Sequence, residues 1–321
     1  TLGESFGMPI GTNVEGKMVS AIRRLGVDKV FNMDFTADLT ILEEASELIE
    51  RITNKGTLPM FTSCCPGWVK FCEHYYPEFL PHLSTCKSPQ QMFGALLKSY
   101  YCEKNGIDPK NLFVVSVIPC TAKKFEVTRE EMLEDVDVAL TTRELAKMIK
   151  GAGVSFTELA DEQFDDPFET ASGAGAIFGA TGGVLEAALR TAANMLDGSF
   201  EKVDFTEVRG PEAVREAVYN VAGVEVKVAV TSGLANARAL VERIKNGEAD
   251  YQMVEIMACP GGCINGGGQP VQSDSVRNYK DLKAMRAKAL YDADSSMALR
   301  KSHESPVIKM LYDEYFEAPG K

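Results

Sequence analysis

Cysteines are the residues best equipped for chemistry in this chain. Of eight, five sit in turns rich in glycine or proline: Cys64 and Cys65 in TSCCPGW, Cys120 in PCTAKKFE, and Cys259 and Cys263 in MACPGGCINGGGQP. Four thiolates, Cys65, Cys120, Cys259 and Cys263, could bind a cubane iron–sulfur cluster, which takes four cysteine ligands. They could also close a structural zinc site. Zinc sites usually draw on tight local cysteine pairs, and here only Cys259 and Cys263 are close in sequence. The dispersed pattern favours the cluster and leaves zinc open. Cys72, Cys86 and Cys102 lie in helix-like stretches without special neighbours and read as core or surface thiols.

Other residues in these segments suit a buried anionic cofactor. Gly261, Gly262, Gly266, Gly267 and Gly268 let the backbone approach a bulky group and offer N–H donors to it; a plain glycine-rich turn is the alternative. Lys123 follows Cys120 in a loop leaving an apolar strand and could set a cation beside that group, or be a surface lysine like Lys124. Cys64 adjoins Cys65, so both cannot readily hold one cluster. A free thiol there, with an ordinary pKa of about 8.5, is a candidate proton carrier. Glu44 and Glu47 share one face of an expected helix. They could pass protons or form a solvated acidic face in which Glu47 pairs with Arg51.

The elements that must position these loops alternate between strand and helix. Expected strands end near Asp34 and Ser63, and cover 111–118, 136–140, 224–230 and 251–257. Expected helices cover 40–52 (with Thr40 and Glu43 as a capping box), a stretch after Pro66, 88–104, 142–150, 184–196, 235–245, 282–289 and 306–316. Such alternation means an α/β fold. Two lobes are expected, each a small, mostly parallel sheet flanked by helices, with the cofactor in the cleft between them. Approximate lobes are 1–120 and 121–270, followed by C-terminal helices over 277–316. Ligands of open α/β sheets gather at the carboxyl ends of strands, where Cys65, Cys120 and Cys259 fall.

Composition narrows the classes. The chain has 321 residues, 34 Lys plus Arg against 46 Asp plus Glu, and a net charge of −12. That balance argues against nucleic acid or an anionic membrane as partner. No apolar run approaches the roughly 18 residues that span a bilayer. With no signal peptide ahead of Thr1, the expectation is a cytoplasmic protein with reduced thiols, entered partway through a longer polypeptide.

At the three cysteine loops the sequence resembles the iron-only (FeFe) hydrogenases. TSCCPGW, PCTAKKFE and EIMACPGGCINGGGQP look like that family's three signatures. FTADLTILEEASELIERI, KSPQQMFGALLKSYY, TTRELAKMIK, SGAGAIFGATGGVLEAALR and RKSHESP extend the likeness over essentially the whole chain. The resemblance implies a catalytic domain over 1–321, incomplete at both ends, that interconverts protons, electrons and H2. It implies an H-cluster: a 4Fe-4S cubane joined by one cysteine to a two-iron unit with CO, cyanide and azadithiolate ligands. By motif position Cys65, Cys120, Cys259 and Cys263 hold the cubane, and Cys263 bridges. Lys123 donates to a cyanide, and Met257, Phe178 and Gln90 line the two-iron pocket. Cys64, Glu44, Ser84 and Glu47 form the proton relay, in that order. The implied electron partner is a ferredoxin, or an iron–sulfur domain or subunit. Ile118 departs from the family's usual Met before the second Pro-Cys.

Two other readings use the same scaffold. One is a non-catalytic iron–sulfur assembly protein holding only a cubane. The other is a sensory relative that reports H2. A complete relay has little use without turnover, and the sensory type typically lacks the Cys64 thiol, so the enzyme is the favoured reading.

Overall fold

A computed structural model describes residues 1–196, 198, 202–210, 212–221 and 223–320. Its described residues form six strands: β1 (Met60–Phe61), β2 (Val115–Ile118), β3 (Val138–Thr141), β4 (Val214–Val221), β5 (Val224–Ser232) and β6 (Met253–Met257). One sheet has the order β1-β6-β5-β4 and the other pairs β2 with β3. All contacts are parallel except that of β4 with β5. The architecture is α/β, with small parallel-rich sheets flanked by helices.

Side chains of the larger sheet alternate between two packed faces, as the strand period of two requires. Met60, Val228, Val230, Met253 and Met257 join Ile41 and Leu48 of the helix Asp34–Thr53 and Leu185 and Ala188 of the helix Gly183–Leu196. Phe61, Ala229, Val254 and Ile256 face the opposite cluster, with Trp68 from the helix Pro66–Tyr75 and Leu240 from the helix Leu234–Lys245. Covering both faces explains why β6 is wholly buried and reads as an unbroken apolar run apart from Glu255. Each fully buried large side chain, Trp68 or Phe61 for instance, contributes about 1.5–3 kcal/mol.

Several expected elements differ in the structure. The first long helix begins at Asp34, so Thr40 lies inside it and its hydroxyl donates to the Thr36 carbonyl at 2.8 Å instead of capping. Asn32 Oδ1 accepts from the Asp34 N–H at 3.0 Å, the work assigned to Thr40. No strand forms over 26–34. The Val30 N–H bonds to the Asp165 carboxylate and the Asn32 N–H to the Phe168 carbonyl, so an acidic loop satisfies that backbone. The helix expected over 88–104 has a π-helical turn at Leu97–Tyr101. β4 was not expected; its alternation in VREAVYNV and the turn at Gly223 were the available signals. Because β1 pairs with β6, the two sheets do not divide the chain at a single point.

Buried ions tie the helix Leu282–Ser296, and the turn Ser302–Glu304 that leads into the helix Pro306–Glu314, to the rest. Asp294 takes a bidentate grip from Arg190, both bonds at 2.9 Å, and neither side chain is exposed. Arg286 pairs with Glu4 at 2.6 Å, and the Ser302 hydroxyl donates to Asp38 at 2.8 Å. Removing one partner of a buried pair strands the other charge. Asp294→Ala is therefore expected to cost about 3–5 kcal/mol in urea unfolding; a loss under about 1 kcal/mol would show that Glu186 alone satisfies Arg190.

Candidate active site

The cysteine loops leave the carboxyl ends of three parallel strands. β1 leads into Cys64 and Cys65, β2 into Cys120, and β6 into Cys259. Cys65, Cys120, Cys259 and Cys263 come together, each an electrostatic neighbour of the other three. Burial raises the thiol pKa of Cys120, Cys259 and Cys263, and the neighbouring sulfurs raise them further. Among the described residues, no three His, Cys, Asp or Glu side chains are grouped tightly enough for one metal ion. Four thiols gathered in this way are the donor set that a four-cysteine iron–sulfur unit takes.

The backbone around them is that of a cofactor cradle. The Ala258 N–H donates to Cys65 Sγ at 3.4 Å. N–H groups of Ala122 and Lys123 bear on Cys120, and that of Gly267 on Cys259, each favouring thiolate. Such donors are the outer contacts that tune clusters. Two glycines are obligatory. Gly262 has φ +92, and a Cβ at Gly266 would lie 2.3 Å from the Pro119 carbonyl oxygen. Any side chain there would push the third loop off the second.

Behind Cys65 the structure sets out Cys64, Glu44, Ser84 and Glu47. Burial and the nearby Glu44 push the Cys64 thiol well above its ordinary value, so it carries a proton rather than a negative charge. Glu44 is fully buried, and neither carboxylate oxygen has a hydrogen-bond partner. Burial lifts its pKa to about 8, although the Ser84 hydroxyl and Ser63 N–H come near enough to draw it part of the way back. Ser84 is fixed by its own N–H, which donates to the Phe61 carbonyl at 2.7 Å beside β1. The Ser84 hydroxyl donates to Glu47 at 3.0 Å, and Arg51 grips Glu47 at 2.6 Å near the surface. The Glu47–Arg51 pair and the contact with Ser84 therefore coexist.

Lys123 is buried. Its ammonium donates to the Cys64 carbonyl at 3.0 Å and to both oxygens of Glu126 at 2.9 and 3.0 Å. Lys124, by contrast, is exposed and pairs with Glu144. Gln90 donates to Glu126 at 3.1 Å and accepts from the Ser116 hydroxyl at 2.6 Å, so both ends of its amide are held by protein. Met257 is buried, and Phe178, Cys64 and Cys65 pack against its cluster. Ile118 ends β2, directly before Pro119 and Cys120.

Residues 1–267 match the family described as iron only hydrogenase large subunit, C-terminal domain, and residues 280–321 match iron hydrogenase small subunit. The chain belongs to the iron-only hydrogenases. It is 48% identical to iron hydrogenase 1 of Clostridium pasteurianum, over 100% of this chain and 57% of that protein. It is 49% identical to the NADP-reducing hydrogenase subunit HndD of Solidesulfovibrio fructosivorans, over 99% of this chain and 55% of that one. It thus spans little more than half the length of these two relatives. A solved apo structure of a variant [FeFe]-hydrogenase HydA1 from Chlamydomonas reinhardtii superposes with a TM-score of 0.86 at 40% identity, covering 99% of this chain and 87% of that one. A more distant relative is protein NAR1 of Arabidopsis thaliana, 32% identical over 95% of this chain and 69% of that one.

Within this hydrogenase scaffold, three neighbours of the site were not anticipated. Glu126 stands three residues after Lys123, a helical spacing that was the available signal. Cys86 is no bland thiol: its sulfur lies 4.0 Å from Glu47, and burial together with Glu44 raises its pKa strongly. Glu255 faces inward from β6 and accepts from the Gly182 and Leu185 N–H groups at 2.7 and 2.8 Å. Nothing local marks Cys86 or Glu255.

The isolation of Glu44 has a consequence for stability. Its pKa is about 8 in the fold against an ordinary 4.5. Its contribution to stability is complete below the lower value and is lost as pH rises through the higher one. Glu44→Gln, which does not titrate, should therefore gain stability over the parent protein between pH 5 and pH 8, read as urea midpoints. An equal difference at both pH values would contradict the burial account.

Proposed function

We propose that this chain is the catalytic domain of an FeFe hydrogenase, carrying out 2H⁺ + 2e⁻ ⇌ H2 at an H-cluster. One observation carries the reading: a buried, unpartnered carboxyl, Glu44, stands between an inner thiol and a buried serine that bonds to the partly exposed Glu47. A protein that only stored a cubane would have no use for it. An unpaired buried acid costs stability, and perturbed acids of this kind gather at functional sites.

Cys65, Cys120, Cys259 and Cys263 would hold the cubane, Cys263 also meeting the two-iron unit with its CO, cyanide and azadithiolate ligands. When bound, that cofactor supplies the electron reservoir, the open metal position and the inner base. The chain supplies everything around it. The Cys64 thiol gives its proton to the pocket and is refilled by Glu44, which is held protonated near neutral pH. Glu44 recovers a proton through the Ser84 hydroxyl from Glu47, whose carboxylate reaches the surface beside Arg51. Each transfer exchanges one O–H or S–H bond for another, so the relay runs equally well outward. Met257 and Phe178 keep bulk water from the pocket, Lys123 would donate to a cyanide, and Gln90 would line the wall.

Electrons would come from a ferredoxin, or from an iron–sulfur domain or subunit. The cytoplasm is the compartment we assign, in keeping with eight free cysteines. No described helix is long and apolar enough to cross a membrane.

The test is infrared spectroscopy. Cubane-loaded protein given the synthetic two-iron complex should show CO and cyanide bands and evolve H2 from a reduced viologen. Cys64→Ala should keep those bands and lose turnover by at least about a hundredfold, the scale of a lost general acid–base group. A verified cubane with silent bands would favour the assembly-protein reading. Bands with unchanged turnover in Cys64→Ala would remove that thiol from the path.

A further inference from the structure

Protein groups alone hold the Lys123 ammonium. Lys123 and Glu126 are both almost fully buried, with side chains 7% and 6% exposed. A lone buried ammonium would be costly, and a buried carboxylate equally so, unless each is paired and hydrogen-bonded. Here one carboxylate oxygen, Oε2, takes all of the other donors, while Oε1 accepts from Lys123 alone. Besides the lysine, Glu126 accepts from the Ser88 hydroxyl at 2.8 Å, from Gln90 at 3.1 Å and from Gln91 at 3.4 Å. Gln90 is itself anchored to β2 through Ser116. Three side chains besides the lysine therefore hold Oε2 of Glu126 in place.

The geometry about Nζ is equally defined. It lies at nearly equal distances from the two Glu126 oxygens, as when one N–H is shared between them, and a second N–H points to the Cys64 carbonyl. Sharing one N–H between those two oxygens would free the third donor for a ligand in the pocket. The carboxylate also cancels the lysine's charge, so Lys123 contributes a donor of set direction more than a net positive charge.

From this arrangement we infer that Glu126 is a positioning residue: it locks Lys123 so that one N–H is aimed at an anionic ligand of the two-iron unit. The inference rests on the functional reading above. Ser88, Gln90 and Gln91 hold the lock. Ser88 is free for this role because its hydroxyl makes no cap bond to the helix Pro89–Leu96 that follows it.

Two measurements test it, and the first needs no cofactor. In a crystal structure of cofactor-free Glu126→Gln, Nζ of Lys123 should leave its place between Cys64 and residue 126. An unmoved ammonium would overturn the proposal, whatever the loaded protein does. The second is infrared spectroscopy of loaded protein. Glu126→Gln should shift and broaden the cyanide bands, and Glu126→Asp should return them most of the way. In a Lys123→Asn background the Glu126 change should add no further shift. Cyanide bands that stay in place in Glu126→Gln, or shifts that simply add in the double variant, would overturn the proposal and assign Glu126 to stability alone. Should Glu126→Gln not fold, Ser88→Ala removes one bond to the carboxylate without touching Lys123. It should move the same bands in the same direction by less, and their staying fixed would count against the proposal. If the parent protein itself shows no CO or cyanide bands, the functional reading fails, and the cofactor-free structure still decides the role of Glu126.

Discussion

Two residue pairs, Met60 with Met253 and Phe61 with Val254, join β1 to β6 in parallel. Because the strands run the same way, both leave the sheet at the same edge, and the loops that follow carry Cys64, Cys65, Cys259 and Cys263 to one place. A slip by one residue would turn every side chain of β1 to the other face. It would carry Met60 away from the Met257 cluster and Phe61 away from Trp68. The register is therefore held by burial on both faces. The position of the Cys65 sulfur relative to that of Cys259 is a by-product of packing many residues away.

The same register reaches the residues of the proposed proton path. Phe61 accepts from the Ser84 N–H, so the strand that delivers Cys64 and Cys65 also fixes the hydroxyl that meets Glu47. Glu44 comes from a different element, the helix Asp34–Thr53, whose inner face packs on that sheet. The proposed relay is thus a product of sheet and helix together. Its order in space, from Cys64 inward to Glu47 outward, bears no relation to the order of those residues along the chain.

Buried charges around the site fall into two classes. Glu255, Asp38, Glu126 and Lys123 have partners in hydrogen-bonding geometry, and each ties one element to another. Glu255 joins β6 to the start of the helix Gly183–Leu196, and Asp38 ties the first long helix to Ser172 and Ser302. Glu44 stands apart because its oxygens bind nothing. Satisfied groups give rigidity; an unsatisfied one near a thiol retains a proton that it can release. This division separates scaffold from the proposed relay more clearly than residue type does.

Much of the fold was legible in the sequence. The apolar runs before Cys120 and Cys259, the Pro-started helix after Cys65 and the strand–helix alternation are local signals, because period and turn chemistry act over a few residues. The three cysteine loops were legible for the same reason: thiol chemistry and glycine freedom belong to the residue itself. Elements whose backbone is satisfied at long range were misread. Residues 26–34 looked like a strand because their apolar character was visible while Asp165 and Phe168, more than a hundred positions away, were not. What the sequence determined was which groups are available: four sulfurs for a cluster, a fifth beside them, and acids at helical spacing. Only the tertiary structure decided which acid is sealed from water without a partner, which lysine is buried against a carboxylate and which is solvated, and that Cys86 lies beside Glu47. Burial and pairing depend on neighbours far apart in the chain, and desolvation sets whether a carboxyl near pH 7 holds its proton or gives it up.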